Sequence, residues 1–213
     1  MDLKDLYPSI LDKAIKESKE EQRKVLYLRD FNLKEIPSEV FELTHIEMLD
    51  ISENEILNIP ADICKLTNLT WLSLRKNKLT ELPKELYQLA NLDSLFIDNN
   101  DILELSEDII NLVNLKEINA KRNYLKTLPK GLCDIKTLIE VNIDYNRLSN
   151  LPPNIFMMES LEDLSLIGNR LKNLPLEVSK STKLQRMDIT NNHFDIRPSV
   201  LNKLTDCKIY SNI

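Results

Sequence analysis

The 213 residues carry 28 Lys and Arg against 34 Asp and Glu, a net charge of −6, with 42% hydrophobic but only 6% aromatic content. That charge, spread along the chain, makes nucleic acid or an anionic membrane surface a poor partner, since both need a basic face. No apolar run approaches the roughly 18 residues of a membrane span, and three cysteines at unpaired spacings (Cys64, Cys133, Cys207) speak against a disulfide framework or a zinc site, so a cytoplasmic or nuclear compartment is expected.

Residues 1–22 open the chain with charges rather than with the apolar stretch of a secretory signal. Leu6, Ile10, Leu11, Ala14 and Ile15 form an apolar stripe, Pro8 suits a first helical turn, and the residues from Lys16 to Lys24 are charged and solvated. An amphipathic helix is predicted here, capping the first edge of the downstream domain.

From residue 23 to 206 a 23-residue period takes over. Segments starting at Ile46, Leu69, Leu92, Leu115, Leu138, Leu161 and Leu184 follow the template LxxLxLxxNxLxxLPxxhxxLxx, where h is apolar. An eighth copy, Arg23 to His45, keeps Leu26, Leu28, Leu33, Ile36, Pro37, Val40 and Leu43 but has Phe31 where the Asn belongs. The xLxLx part predicts a short parallel strand with two aliphatics inward and its flanking residues outward. In the Ile46 copy, Ile46, Leu49, Ile51, Ile56, Ile59, Ile63 and Leu66 would fill one slice of a core shared with both neighbours, each worth about 1.5 to 3 kcal/mol before entropy.

Asn54, Asn77, Asn100, Asn123, Asn146, Asn169 and Asn192 recur at one place of the period. A buried amide donates and accepts, so this column is read as a structural ladder holding backbone groups left open where the chain quits each strand. Six places later stand Pro37, Pro60, Pro83, Pro129, Pro152, Pro175 and Pro198, with Ser106 breaking the series. Each proline sets the turn onto the opposite side, where i, i+3 apolar spacing predicts one or two helical turns. The fold class is therefore an α/β solenoid: a curved parallel sheet inside, short helical turns outside. Residues 207–213 alternate as a terminal strand or tail, after a last copy that degrades around Ile196 and Arg197, and this C-terminal edge could support self-association.

Chemistry is hard to build on such a frame. His45 and His193 stand at opposite ends of the stack, and only Gly131 and Gly168 are available for any phosphate loop. No catalytic residue, metal ligand or cofactor is expected. The outward strand places are where sequence varies freely, and two groups stand out. Met48 and Trp71 occupy equivalent positions on adjacent strands, with Phe96 one strand further on, an exposed aromatic cluster of the kind that anchors partners; Trp71 lying flat across its neighbours' aliphatic stems is the structural alternative. Glu117, Glu140 and Asp163 form an acidic row flanked by Lys121, Arg122, Tyr124, Tyr145 and Arg147, which a basic partner or an internal lattice such as Asp98 with Lys121 and Asp144 could relieve. Met48, Trp71, Phe96, Arg75, Asp98, Lys121, Glu117, Glu140, Tyr145 and Asp163 are the candidate partner-binding residues.

The repeats, with Leu-Pro pairs such as Leu82-Pro83 and Leu128-Pro129, resemble the leucine-rich repeat family, in particular the intracellular 23-residue subset that includes Ras suppressor protein and the repeat regions of the polarity scaffolds. That resemblance implies a non-catalytic horseshoe binding a protein, of the small-GTPase, phosphatase or kinase class, through its concave face. A scaffold or regulator of intracellular signalling is the expectation. A substrate-recognition or adaptor subunit of a multi-subunit enzyme, such as a ubiquitin ligase, is the alternative.

Overall fold

The computed structural model describes residues 7–195, 198–204 and 207–212. Helix α1 (Tyr7–Glu21) comes first, with Pro8 in its first turn. Nine three-residue strands come after it: β1 (Val25–Tyr27), β2 (Met48–Asp50), β3 (Trp71–Ser73), β4 (Ser94–Phe96), β5 (Glu117–Asn119), β6 (Glu140–Asn142), β7 (Asp163–Ser165), β8 (Arg186–Asp188) and β9 (Lys208–Tyr210). They form one parallel sheet in chain order, so each repeat lies beside its sequence neighbours.

Register is set by the repeat length. Met48 pairs with Trp71, Leu49 with Leu72 and Asp50 with Ser73, and the same places pair from β1 through β8. The middle strand residue and the one two further on point inward: Leu49, Ile51, Leu72, Leu74, Leu95, Ile97 and Ile118 are fully buried. Ile46, Leu49, Ile51, Ile56, Ile59, Ile63 and Leu66, the seven aliphatics expected to fill one slice, are all buried, none more than 5% exposed. A 23-residue step that lays like on like brings each strand's aliphatics against the same aliphatics of the next, and this continuous packing supplies the stability that no single repeat has.

The outer turns are mostly 3-10 segments of five residues, such as Ala61–Lys65 and Lys84–Gln88, with one four-residue α-turn, α2 (Lys130–Cys133). The predicted helical turns are thus tighter than α in most repeats, as expected for segments too short to gain from α-helical propagation. Each starts just after the recurrent proline, whose φ lies between −54 and −68. Ser106 adopts the same φ of −68 without a ring, and its hydroxyl accepts from Asp108 N. Unlike proline it brings an N–H, which donates to the Tyr87 hydroxyl at 3.3 Å. Burial, the main cause, pushes that Tyr87 hydroxyl up to about 12.

At the first edge α1 packs against β1. Ile15 and Ser18 are buried, and Leu11 and Ala14 pack against the core. Ile10 corrects the predicted stripe: it is 45% exposed, because the docked face of the helix runs through 11, 14, 15 and 18 and leaves position 10 outside it. Leu6 lies outside the described residues. The helix ends at Gln22, whose φ of +52 lets Arg23 N–H donate back to the Ser18 carbonyl at 3.1 Å. At the other edge Leu204, Cys207 and Ile209 are only partly buried against the core and β9 pairs on one side, with β8. Ile196, Arg197 and Ile213 lie outside the described residues.

Candidate protein-binding face

The inner sheet presents the first and third residue of every strand, then the short loop that leads to the Asn position. In that loop the residue preceding each Asn is left-handed: Glu53, Lys76, Asn99, Arg122, Tyr145 and Asn191 have φ between +49 and +57, and Gly168 has +67. Sequence reading missed this column, because side chains as large as Tyr and Arg give no hint of a conformation that ordinarily costs them about 1 to 2 kcal/mol.

The Asn side chains span that turn. Asn100 Nδ2 donates to the Ile97 carbonyl of its own repeat at 3.1 Å and to Leu74 of the preceding one at 2.9 Å, while its Oδ1 accepts from Leu79 N at 3.1 Å. Asn54, Asn77, Asn123, Asn146, Asn169 and Asn192 repeat the pattern. Asn54 Oδ1 accepts from both Phe31 N and Leu33 N, so the first repeat borrows its neighbour's amide where its own Asn is replaced by Phe31.

Trp71 and Phe96 meet with ring centroids 5.2 Å apart, tilted by 45°. Both rings, and Met48 beside Trp71, are half-buried. The Arg75 guanidinium stands 6.0 Å from the Phe96 centroid and 2.9 Å from the buried Asp98 carboxylate, though out of line for a hydrogen bond. Beside Trp71 opens a polar hollow of about 170 Å³, whose lining includes Arg29, Asp50, Glu53, Arg75 and Lys76. Glu53 bridges Arg29 and Lys76, and those hydrogen bonds, Lys76 first, hold its carboxyl below the usual range.

On the next three strands, β5 to β7, the acidic row takes shape. Glu117 pairs with Glu140 and Glu140 with Asp163. Asp163 is matched by Arg186 at 2.9 Å, whereas among the described residues neither Glu117 nor Glu140 has a cation at ion-pair distance. Burial, then the Glu140 charge, raises the Glu117 carboxyl above its ordinary value. The cations expected to flank this row turn elsewhere. Lys121 lies 3.7 Å from the buried Asp144 and 5.2 Å from the Tyr145 ring centroid, Arg122 stands 5.6 Å from the same centroid, and Arg147 covers Tyr124 at 4.1 Å. In the lattice envisaged around Asp98, that acid pairs with Arg75, and Lys121 with Asp144 alone. The reason is positional: Lys121 sits on the loop place of its own strand, level with Asp98 and Asp144, two residues beyond the third strand place and away from the acidic row.

The ten candidate residues thus fall into two groups on one face: Met48, Trp71, Arg75, Phe96 and Asp98 on β2 to β4 and the loops following them, and Glu117, Lys121, Glu140, Tyr145 and Asp163 on β5 to β7 and theirs. Among the described residues no three or more His, Cys, Asp or Glu side chains are grouped so as to hold a metal ion, and no helix is long and apolar enough to cross a membrane.

Family models described as "Leucine-rich repeat region" and "Leucine rich repeat" match residues 21–100 and 136–194. No curated protein matches the chain. Among solved structures it is similar to a leucine-rich repeat protein of Leptospira interrogans, at 28% identity and a TM-score of 0.78, over 94% of this chain and 57% of that one. It therefore spans little more than half of that relative's length. It is also similar to the leucine-rich repeat domain of the type III effector XopL, at 22% identity and a TM-score of 0.80, over 96% of this chain and 81% of that one. A third likeness is to the ectodomain of the plant membrane receptor kinase GASSHO1 of Arabidopsis thaliana, at 28% identity and a TM-score of 0.73, over 83% of this chain and 22% of that one.

Proposed function

The chain belongs to the leucine-rich repeat family, and on that premise we propose that it is a non-catalytic scaffold or regulator that grips a folded protein on its concave face. The observation that carries this reading is the Trp71–Phe96 pair, half-buried on an otherwise polar sheet and bordered by a hollow wide enough for one side chain of a partner. Burial of such a pair on binding supplies the anchor, and Arg75, Asp98, Lys121, Glu117, Glu140, Tyr145 and Asp163 set polarity and register around it. The Leu-Pro repeats and the free cysteines support an intracellular signalling role with a partner of the small-GTPase, phosphatase or kinase class, in the manner of Ras suppressor protein.

The test is affinity capture by the wild-type chain beside the Trp71→Ala, Phe96→Ala variant. The expected result is loss of a defined partner with little change in the melting transition. Equal loss of binding and of stability would mean the rings belong to the fold.

A second reading, an adaptor or substrate-recognition subunit, draws on α1, where Ile10 is exposed and Asp12, Lys16, Lys19, Glu39 and Glu42 surround a further hollow of about 310 Å³. Removing residues 1–22 separates the two: a folded remainder that still binds at Trp71 but no longer joins a larger assembly favours the adaptor.

A further inference from the structure

The loops after β5, β6 and β7 carry a charge opposite to that of the molecule. Segments 122–127, 145–150 and 168–173 contain Arg122, Lys126, Arg147, Arg170 and Lys172 and not one Asp or Glu, in a chain of net charge −6. Of the corresponding earlier loops, 53–58 and 76–81 neutralise each other, with Lys76 and Lys78 paired to Glu53 and Glu55, and 99–104 carries Asp101 and Glu104 and no cation. Among the described residues none of the five later cations has a carboxylate at ion-pair distance, and Arg122, Lys126, Arg170 and Lys172 are exposed. These loops share one rim because the Asn ladder sets each upon the next, with Leu125 N bound to Asn146 Oδ1 and Leu148 N to Asn169 Oδ1.

Two tyrosines stiffen the rim. Tyr145 lies across Gly168, where a Cβ would come within 2.7 Å of its ring, and carries Arg122 and Lys121 near its centroid; Tyr124 carries Arg147. Stacking occupies the flat face of a guanidinium and leaves its N–H edge for an acceptor, so the ordering entropy of these arginines is partly spent before any ligand arrives. An acid-free set of cations without carboxylate partners, two of them held against tyrosine rings, is a surface for an anion.

We propose that this rim docks an extended, carboxylate-rich segment of a protein partner, at a surface separate from Trp71 and Phe96. The cations stand on three successive backbones about 4.8 Å apart, so they do not converge on one point as a single phosphate requires; they match several carboxylates spaced along a chain. Three rungs span only about 10 Å, too short a track to gather the many phosphate contacts that give a nucleic acid its affinity, and the remainder of the molecule repels a polyanion.

Binding of short fluorescent peptides to the full chain at low ionic strength tests this: one rich in Asp and Glu, a lysine counterpart, a singly phosphorylated one, and a single-stranded RNA of similar length. The acidic peptide should bind, weaken steeply with added salt, and lose about tenfold in affinity on Arg170→Gln with Lys172→Gln, about 1.4 kcal/mol, while the melting transition holds. Trp71→Ala should leave it unchanged. No binding of the acidic peptide, no loss in the double variant, equal loss in Trp71→Ala, or tighter binding of the phosphopeptide or the RNA would each overturn the proposal.

Discussion

At the scale of single residues, the amide column and the left-handed column are two halves of one turn. The Asn that follows each of strands β2 to β8 collects carbonyls from two repeats and returns its oxygen to a third backbone group, and the residue before it is held at positive φ. Because the Asn side chain makes bonds on both sides of a repeat boundary, Asn100→Leu should cost about 1 to 3 kcal/mol in urea unfolding. Asn192→Leu should cost less, since Asn192 is only part-buried and water can reach its partners. Equal costs would mean burial does not govern the ladder. Gly168 shows the same turn under a steric limit. Gly168→Ala should lose about 1 to 2 kcal/mol from its φ of +67 and a further 1 to 3 from pressing on the Tyr145 ring. In a Tyr145→Ala background the second part should vanish, and an unchanged cost there would absolve the ring.

At the scale of elements, strands of three residues are too short to hold themselves, and their display is decided column by column. The acidic column shows the consequence. Glu117 sits partly desolvated beside Glu140, with its folded pKa raised, so its contribution is most favourable below the ordinary Glu range and is lost as pH rises through the folded value. Glu117→Gln should therefore stabilise the fold at pH 7, by about 0.2 to 1 kcal/mol for a like-charge cross-strand pair, and should make no difference below about pH 3, where the carboxyl is protonated in both states. Urea midpoints at the two pH values decide it; destabilisation at pH 7 would show that Glu117 has a cation partner. The outer turns repeat the lesson with proline. Ser106 keeps the backbone angle that proline imposes elsewhere, and Tyr87 receives the N–H that proline lacks.

At the scale of the whole molecule, the described repeats pack on their sequence neighbours, the first also on α1, so protection should be greatest in the middle of the stack and fade toward its ends. The cysteines report this. Cys133 is buried in a central repeat, its thiol pushed up to about 12 chiefly by burial, while Cys207 lies part-exposed in the last rung. Thiol labelling coupled to mass spectrometry under native conditions should modify Cys207 well before Cys133, and mild urea should widen the gap before closing it at global unfolding. Simultaneous labelling would mean the stack opens as one unit. The same one-dimensional build makes a long face from short pieces: an aromatic cluster on β2 to β4, an acidic row on β5 to β7 and a basic rim on the loops beyond them.

By itself, the amino-acid order was enough to establish the solenoid, the inward aliphatics, the Asn and Pro columns and the neighbourhood of Met48, Trp71 and Phe96. A constant 23-residue step makes each residue's neighbours a matter of arithmetic. It could not decide direction and company: that Ile10 faces outward, that Lys121, Arg122 and Arg147 turn toward tyrosines and Asp144 rather than toward Glu117 and Glu140, and that bulky side chains occupy a left-handed turn. Those depend on distances of a few ångströms between side chains of adjacent repeats, and on whether water or protein fills the space between them. Only the folded stack sets those distances, because they belong to the packing and not to the period.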